Sequence, residues 1–371
     1  MQLKNLKLLN FRNYDNLYLE FNPNINLFIG KNGQGKTNIV ESVYMMSFSK
    51  SFRTNKDKEL IKFDKENMYV GGNFTNSHSE GLIEIFLVKN KKGIKLNKLS
   101  IHKVQDLLGN LNIVIFSPED LKLVKDSPRE RRSFIDKEIS QIMPVYYSYL
   151  VNYNKILYQR NKLLKNSNID TSLLDVYDES LANCGSYICL IRKNFIKKIY
   201  CICNKIHKNL TGDSENLEIF YKTQIEIVDE DTRETIYQKL LDKLSSSRQN
   251  DIKFKMTRYG IHKDDIAIYI NNIDAKMYGS QGQQRMVSIS LKLSEIEIIK
   301  SESGEYPILI LDDVFSELDE NRQRLLINNL KDVQMFITTA ENSHKDIFNK
   351  NNTTIFNIEN GKVIKVENNT S

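Results

Sequence analysis

Two short stretches of this chain make chemical sense only side by side, yet about 270 residues separate them, from position 37 to position 307. The first is Gly30-Lys31-Asn32-Gly33-Gln34-Gly35-Lys36-Thr37, which fits the pattern G-x-x-x-x-G-K-(S/T). In such a loop the glycines let successive backbone N–H groups turn inward around an anion, and the helix that follows adds the positive end of its dipole. Lys36 is placed to reach β- and γ-phosphates, and Thr37 Oγ1 can complete a Mg²⁺ shell. The second is Pro307-Ile-Leu-Ile-Leu-Asp312-Asp313, an apolar run ending in two carboxylates. A strand buried on both faces delivers such acids at the carboxyl edge of a parallel sheet, where open α/β folds bind ligands. Asp312 would hold the metal through water, and Asp313 would orient or deprotonate the attacking water. The two stretches must then share one sheet, so the head is built from both chain ends and the helical block between them is an insertion.

The pattern along the chain agrees. Short apolar or alternating runs at 3–9, 17–21, 25–29, 68–74, 82–88 and 111–116 predict strands around one helix that starts near Gly35. From Pro128 the spacing becomes helical, with segments near 129–142, 144–165, 173–210 and 232–248. Strands are predicted again at 252–256, 266–270, 308–311 and 335–339, with helices from about Gln281 and near 320–331. A closing hairpin, 354–358 and 363–366, turns at Asn360-Gly361, a dipeptide suited to a type I′ turn. The predicted domains are a head built from both chain ends, 1–127 and 250–371, and a helical insertion, 128–249.

A third segment narrows the chemistry. Tyr278-Gly279-Ser280-Gln281-Gly282-Gln283-Gln284-Arg285 precedes an amphipathic helix. Its serine hydroxyl and free N–H groups make a second anion-binding helix start. One chain has no evident need for two such sites. Two chains placed head to tail explain both, with ATP between the phosphate loop of one and Ser280 of the other. An ordinary N-capped helix is the other reading of this segment.

The order of phosphate loop, S-Q-G-Q helix, acid strand and Ser316-Glu317-Leu318-Asp319 resembles the ABC-type ATPase heads of SMC and Rad50 proteins. More narrowly, the chain resembles the RecF family. The closer likeness rests on Asn10-Phe11-Arg12-Asn13-Tyr14, Phe116-Ser117-Pro118-Glu119-Asp120, Pro128-Arg-Glu-Arg-Arg132-Ser-Phe-Ile-Asp136, Tyr259-Gly-Ile-His262-Lys-Asp264-Asp265 and the segment 279–292. Ile261 and Lys263 stand where that family usually has Pro and Arg. The resemblance implies an α/β, Rad50-like P-loop head with an inserted, mainly helical second lobe or short arm. It implies ATP and Mg²⁺ as cofactors, ATP-dependent homodimerisation, slow and DNA-stimulated hydrolysis, and binding of single-stranded, gapped or junction DNA. It further implies cooperation with the mediators RecO and RecR in loading recombinase, with roles in recombinational repair, replication of damaged DNA and SOS induction. Gly30 to Thr37 would bind nucleotide, Thr37 and Asp312 the metal, Ser280 and Gly282 phosphate across the dimer, and Asp319 would line the dimer seam. Lys36, Asp312, Asp313 and Ser280 would carry the chemistry. No position answers to the Q-loop glutamine of ABC enzymes.

Charge permits a nucleic-acid partner without demanding one: Lys+Arg minus Asp+Glu is 53 − 47 = +6. Candidate contacts are the lysines of 89–98, the basic series Arg192, Lys193, Lys197, Lys198, Lys205 and Lys208, and Arg129, Arg131 and Arg132. Arg12 is read either as a nucleotide contact or as a plain surface arginine, and His262 as shaping a turn. The four cysteines, at 184, 189, 201 and 203, lack zinc-ligand spacing and are read as buried thiols. No apolar run suits a signal peptide or a membrane span, so the chain is read as cytosolic. The ATPase subunit of an ABC membrane transporter is the alternative function, and a small-molecule P-loop kinase would have no use for the S-Q-G-Q helix.

Overall fold

The phosphate-loop strand is completed by the far end of the chain. In this computed structural model, which describes residues 1–89, 91–314, 332–340 and 352–369, strand β1 (Ile25–Ile29) lies between strands contributed after residue 330. With β2 (Ile113–Phe116), β3 (Ile308–Asp312), β4 (Met335–Thr339), β5 (Thr353–Glu359) and β6 (Lys362–Asn369), the sheet order is β6-β5-β1-β4-β3-β2. Neighbours from β5 to β2 run parallel and β6 is antiparallel. β1, β3 and β4 are buried at every position, which is why apolar residues dominate them, with Asn26, Asp312, Thr338 and Thr339 as the polar positions. Phe28 of β1 stacks on Phe356 of β5 at 5.0 Å between ring centroids, and Phe21 meets Phe336 of β4 edge-on at 4.8 Å. Between β5 and β6, Asn360 and Gly361 both take positive φ, 49° and 69°, as the expected turn requires.

By packing, the chain divides into two compact units, 1–120 with 295–371, and 121–294. The first unit also holds an antiparallel sheet in the order Tyr14–Glu20, Asn5–Phe11, Asn67–Thr75, Glu80–Val88, Lys91–Leu96, Leu99–Ile101. Its helix α1 (Lys36–Phe48) follows β1 through the phosphate loop.

The second unit contains α2 (Pro128–Ile142), α3 (Pro144–Leu163), α4 (Thr171–Thr211) and α5 (Arg233–Phe254), and α6 (Gln281–Ser303) begins in it. At 41 residues α4 is about 60 Å long, taking about 1.5 Å per residue. Asp170 caps its first turn by accepting from the Leu173 N–H at 3.1 Å, and Gly212, at φ 61°, ends it. A small antiparallel sheet, Leu217–Lys222, Asp265–Ile270 and Ile273–Asp274, completes this unit. Residues 250–294, expected with the head, pack here because Asp265–Ile270 pairs with Leu217–Lys222 along its whole length. The strand expected at 252–256 is instead the last turn of α5 and the residues after it. Its alternation came from Ile252 packing onto Leu163 and Leu164 while Phe254 and Met256 stay exposed. Asp319 and the helix expected near 320–331 lie outside the described residues.

Candidate nucleotide site

Parallel pairing brings the carboxyl ends of β1, β4 and β3 to one edge of the sheet, and the first-unit residues singled out by sequence meet there. Gly30 leaves β1 with its Cα so close to β5 that an added Cβ would lie 2.3 Å from Ile358 O. Gly35 takes φ 112°, where a side chain would be strained, and an added Cβ would stand 2.5 Å from Asn13 Nδ2 and 2.8 Å from the Tyr14 hydroxyl. Those two residues hold the loop from behind. Asn13 Nδ2 donates to Gln34 O at 3.3 Å and the Tyr14 hydroxyl to Gly35 O at 3.1 Å. The Gly361 N–H at the terminal hairpin turn also donates to Gln34 O, at 3.1 Å. With the Gln34 and Gly35 carbonyls engaged by these donors, the loop leads into a helix whose first N–H groups have no intrahelical acceptor.

The cleft in front of the loop has a volume of about 350 Å³ and is lined by Gly33, Lys36, Thr37, Arg53, Asp313 and Thr338 among others. Lys36 is buried and its Nζ donates to Gly30 O at 2.6 Å and Lys31 O at 3.0 Å, acceptors that a phosphate can replace. Burial pulls its ammonium down from the ordinary lysine range, and Asp313 and Asp312 push it back. Thr37 Oγ1 donates to Asp312 Oδ1 at 3.0 Å, and Thr338 Oγ1 donates to the same oxygen at 2.8 Å. Burial raises the Asp312 carboxyl above the usual carboxylate range, an effect the two hydroxyls oppose. Asp313 takes a left-handed backbone, φ 56°, and its N–H donates to Thr338 Oγ1 at 3.0 Å. A threonine hydroxyl within 3.0 Å of a carboxylate is a hard-oxygen pair that fits Mg²⁺ beside a triphosphate.

Arg53 was not foreseen. Its guanidinium lines the cleft, donates to Asn38 Oδ1 at 2.9 Å and lies 3.5 Å from the buried Glu41. It follows α1 in a stretch without a recognisable pattern, so only the fold returns it to the phosphate loop. Arg12, the residue weighed for that place, shares Glu41 with Arg53: its guanidinium grips that carboxylate through two bonds, 2.6 and 2.9 Å, and donates to Glu59 O.

Ser280 and Gly282 belong to the second unit. Ser280 is exposed at the start of α6, where its hydroxyl accepts from the Gln283 N–H at 3.2 Å and Gln283 Oε1 accepts from the Ser280 N–H at 2.9 Å. Ile273, Met277 and Tyr278 beside it are exposed apolar side chains.

The RecF/RecN/SMC N terminal domain family matches residues 2–363. The DNA replication and repair protein RecF of Clostridioides difficile (strain 630) is 65% identical over 368 residues, 99% of either chain. This chain belongs to the RecF family. The RecF protein of Alkaliphilus oremlandii (strain OhILAs) is 49% identical over 92% of this chain and 93% of its own. A solved structure of the recombination mediator protein RecF-ATP in the RecFOR pathway superposes with a TM-score of 0.91 at 37% identity, over 99% of this chain and 97% of that one. A Smc head domain from Pyrococcus furiosus shares the fold, with a TM-score of 0.55 at 15% identity over 99% of this chain and 96% of that one. Family membership displaces the transporter-subunit reading. Among the described residues no helix is long and apolar enough to cross a membrane.

In this RecF-family chain much of the basic surface inferred from sequence is already engaged. Arg192 is buried and binds Asp136 and Asp264, Arg131 pairs with Asp265 at 2.7 Å, and Lys193 and Lys197 hold the 228–229 turn. Lys92 donates to Ser49 O and lies 3.2 Å from Asp57, and Lys95 stands over the Phe86 ring. Lys89, Lys91 and Lys98 remain exposed. His262 sits in the turn expected of it, facing the Tyr153 hydroxyl at 2.9 Å and Thr257 O at 3.2 Å.

Proposed function

We propose that this RecF-family chain is an ATP-binding, DNA-binding protein of recombinational repair and replication, gated by ATP-dependent dimerisation. The observation that carries the reading is the contact between Thr37 of the phosphate loop and Asp312 of the acid strand, 3.0 Å apart in a part-buried cleft. ATP, when bound, supplies the terminal phosphoryl group whose presence or loss separates the two states. Lys36 exchanges the loop carbonyls for β- and γ-phosphate oxygens, and Thr37 and Asp312 hold the metal. Asp313 orients or deprotonates the attacking water, and Arg53 is placed to meet developing negative charge. Ser280 and Gly282 of a second copy close the site, with Asp319 at the seam, so the paired state forms only while the γ-phosphate persists. Slow hydrolysis, stimulated by DNA, then releases the pair.

The names of the relatives support a role in DNA replication and repair within the RecFOR pathway. Within this proposal the chain works beside RecO and RecR on single-stranded or gapped DNA in the cytoplasm, with a contribution to SOS induction. The test is light scattering of the purified full chain with Mg²⁺ and a slowly hydrolysed ATP analogue. The protein should be monomeric with ADP and dimeric with the analogue. Lys36→Ala should lose nucleotide binding by more than about tenfold, in line with removing a buried charged partner. Ser280→Ala should keep nucleotide binding and lose the dimer. A strictly monomeric wild-type protein at high concentration with the analogue overturns the shared-site reading.

A further inference from the structure

We infer that Glu215 is a positioning residue for Ser280, holding the S-Q-G-Q turn in its phosphate-accepting form from the end of the long helix α4. The inference rests on the proposal that Ser280 closes the site of a second copy.

The chain of contacts runs through named atoms. Gln283 keeps the turn closed only if its amide oxygen faces the Ser280 N–H, as it does at 2.9 Å. A glutamine amide has two nearly isosteric orientations, so something must set which end faces the serine. Glu215 Oε1 does so by accepting from Gln283 Nε2 at 2.9 Å. Ionised, a carboxylate only accepts, so it draws the NH₂ end toward itself and leaves the oxygen for Ser280. The other carboxylate oxygen, Oε2, lies 3.0 Å from His207 Nε2. His207 is wholly buried in the last turn of α4, and its Nδ1 lies 3.0 Å from Ser290 Oγ on α6.

The loop bearing Glu215 is fixed independently of Gln283. The Asn216 N–H donates to Asn271 Oδ1 at 2.8 Å, the Asn271 N–H returns to Asn216 O at 2.9 Å, and Asn204 Oδ1 of α4 accepts from the Leu217 N–H at 3.0 Å. The carboxylate is therefore carried by a braced loop. A movement of the end of α4 reaches the Ser280 backbone through three side-chain contacts, His207 to Glu215, Glu215 to Gln283 and Gln283 to Ser280, all of them within the second unit.

The experiment compares Glu215→Ala, Glu215→Gln, Ser280→Ala and the double variant E215A/S280A in the full chain. Readouts are the dimerisation midpoint with the ATP analogue, binding of a fluorescent ATP by the monomer, and hydrogen exchange of the peptide spanning 279–284. E215A should raise the midpoint about tenfold, the worth of one charge-assisted hydrogen bond, and leave nucleotide binding unchanged. Its 279–284 amides should exchange several-fold faster. Glu215→Gln, which can still accept from Gln283, should fall between wild type and alanine. The double variant should be no worse than S280A alone. Loss of nucleotide binding in E215A, or additive effects in the double variant, would assign Glu215 to general stability and overturn the inference. If wild type itself stays monomeric, the dimer reading falls while exchange still decides the linkage: faster amides in E215A support it, and unchanged amides overturn it.

Discussion

At the scale of residues, two buried groups close together in the sequence pull stability in opposite directions. Burial holds the His262 imidazole down at about 4, and burial raises the Asp264 carboxyl to about 6 against the opposing pull of Arg192. As pH falls from 6.5 toward 4, unfolded chains take up a proton at His262 that the native protein refuses, which lowers stability. Over nearly the same window the native protein takes up a proton at Asp264 before the unfolded chain does, which raises it. The two slopes offset. Replacing His262 with Asn removes one of them, so the melting temperature at pH 4.5 should gain on that at pH 6.5 relative to wild type, whatever the variant loses overall. An unaltered difference between the two pH values would mean that these groups do not titrate as their burial requires. Both residues stand in the stretch that resembles the RecF family, yet neither belongs to the phosphate chemistry. They bind the interior of the second unit, with Tyr221 and Arg192 on Asp264 and Tyr153 on His262.

At the scale of elements, what the sequence disclosed depends on how many faces each element buries. β1, β3 and β4, buried throughout, were legible as mainly apolar runs, and the phosphate loop was legible because its glycines are required by backbone geometry. The run 252–256 misled because three alternating residues cannot distinguish a strand from a helix end with one packed side chain. The lysines of 89–98 read as one tip, but Lys91–Leu96 is a strand, and the chain turns again at Asn97 and Lys98, both at positive φ. Arg53 stayed hidden because a loop returning along a helix leaves no periodic trace. The tight approach of Gly30 to β5 gives a sharp expectation for one element pair. Gly30→Ala drives a methyl against Ile358 O, so β5 must shift from β1, at a cost of about 1–3 kcal/mol as for other overpacked sites. A lowered melting temperature together with weakened nucleotide binding is the expected result, and wild-type values of both would show that the strand pair gives way freely.

At the scale of the whole molecule, the phosphate loop with its acids and the Ser280 turn belong to different compact units. That division was only partly legible, since pairing of Asp265–Ile270 with Leu217–Lys222 draws residues 250–294 away from the head by a pairing no local pattern announces. Nucleic-acid binding is likewise a property of exposed surface, and the internal bonds of Lys92 and Lys95 narrow the candidates on this hairpin to the exposed Lys89, Lys91 and Lys98. Changing those three together to Glu should weaken DNA binding and lower the salt slope by as much as about 3, near one unit for each phosphate no longer neutralised. An unchanged slope in a titration against salt would remove this hairpin from the interface. Lys92, bonded to Ser49 O and Asp57, is excluded from the set because its loss would disturb the fold itself.

The position of β1 has a consequence for how the protein is made. Both of its neighbours in the sheet, Met335–Thr339 and Thr353–Glu359, are made long after β1 itself. While a ribosome is still translating residues before 332, the strand that leads into the phosphate loop has no partner on either side. Competence to bind nucleotide therefore waits on residues 335–359, and a message cut short before them yields a polypeptide that holds every residue of that loop without the strands that flank β1.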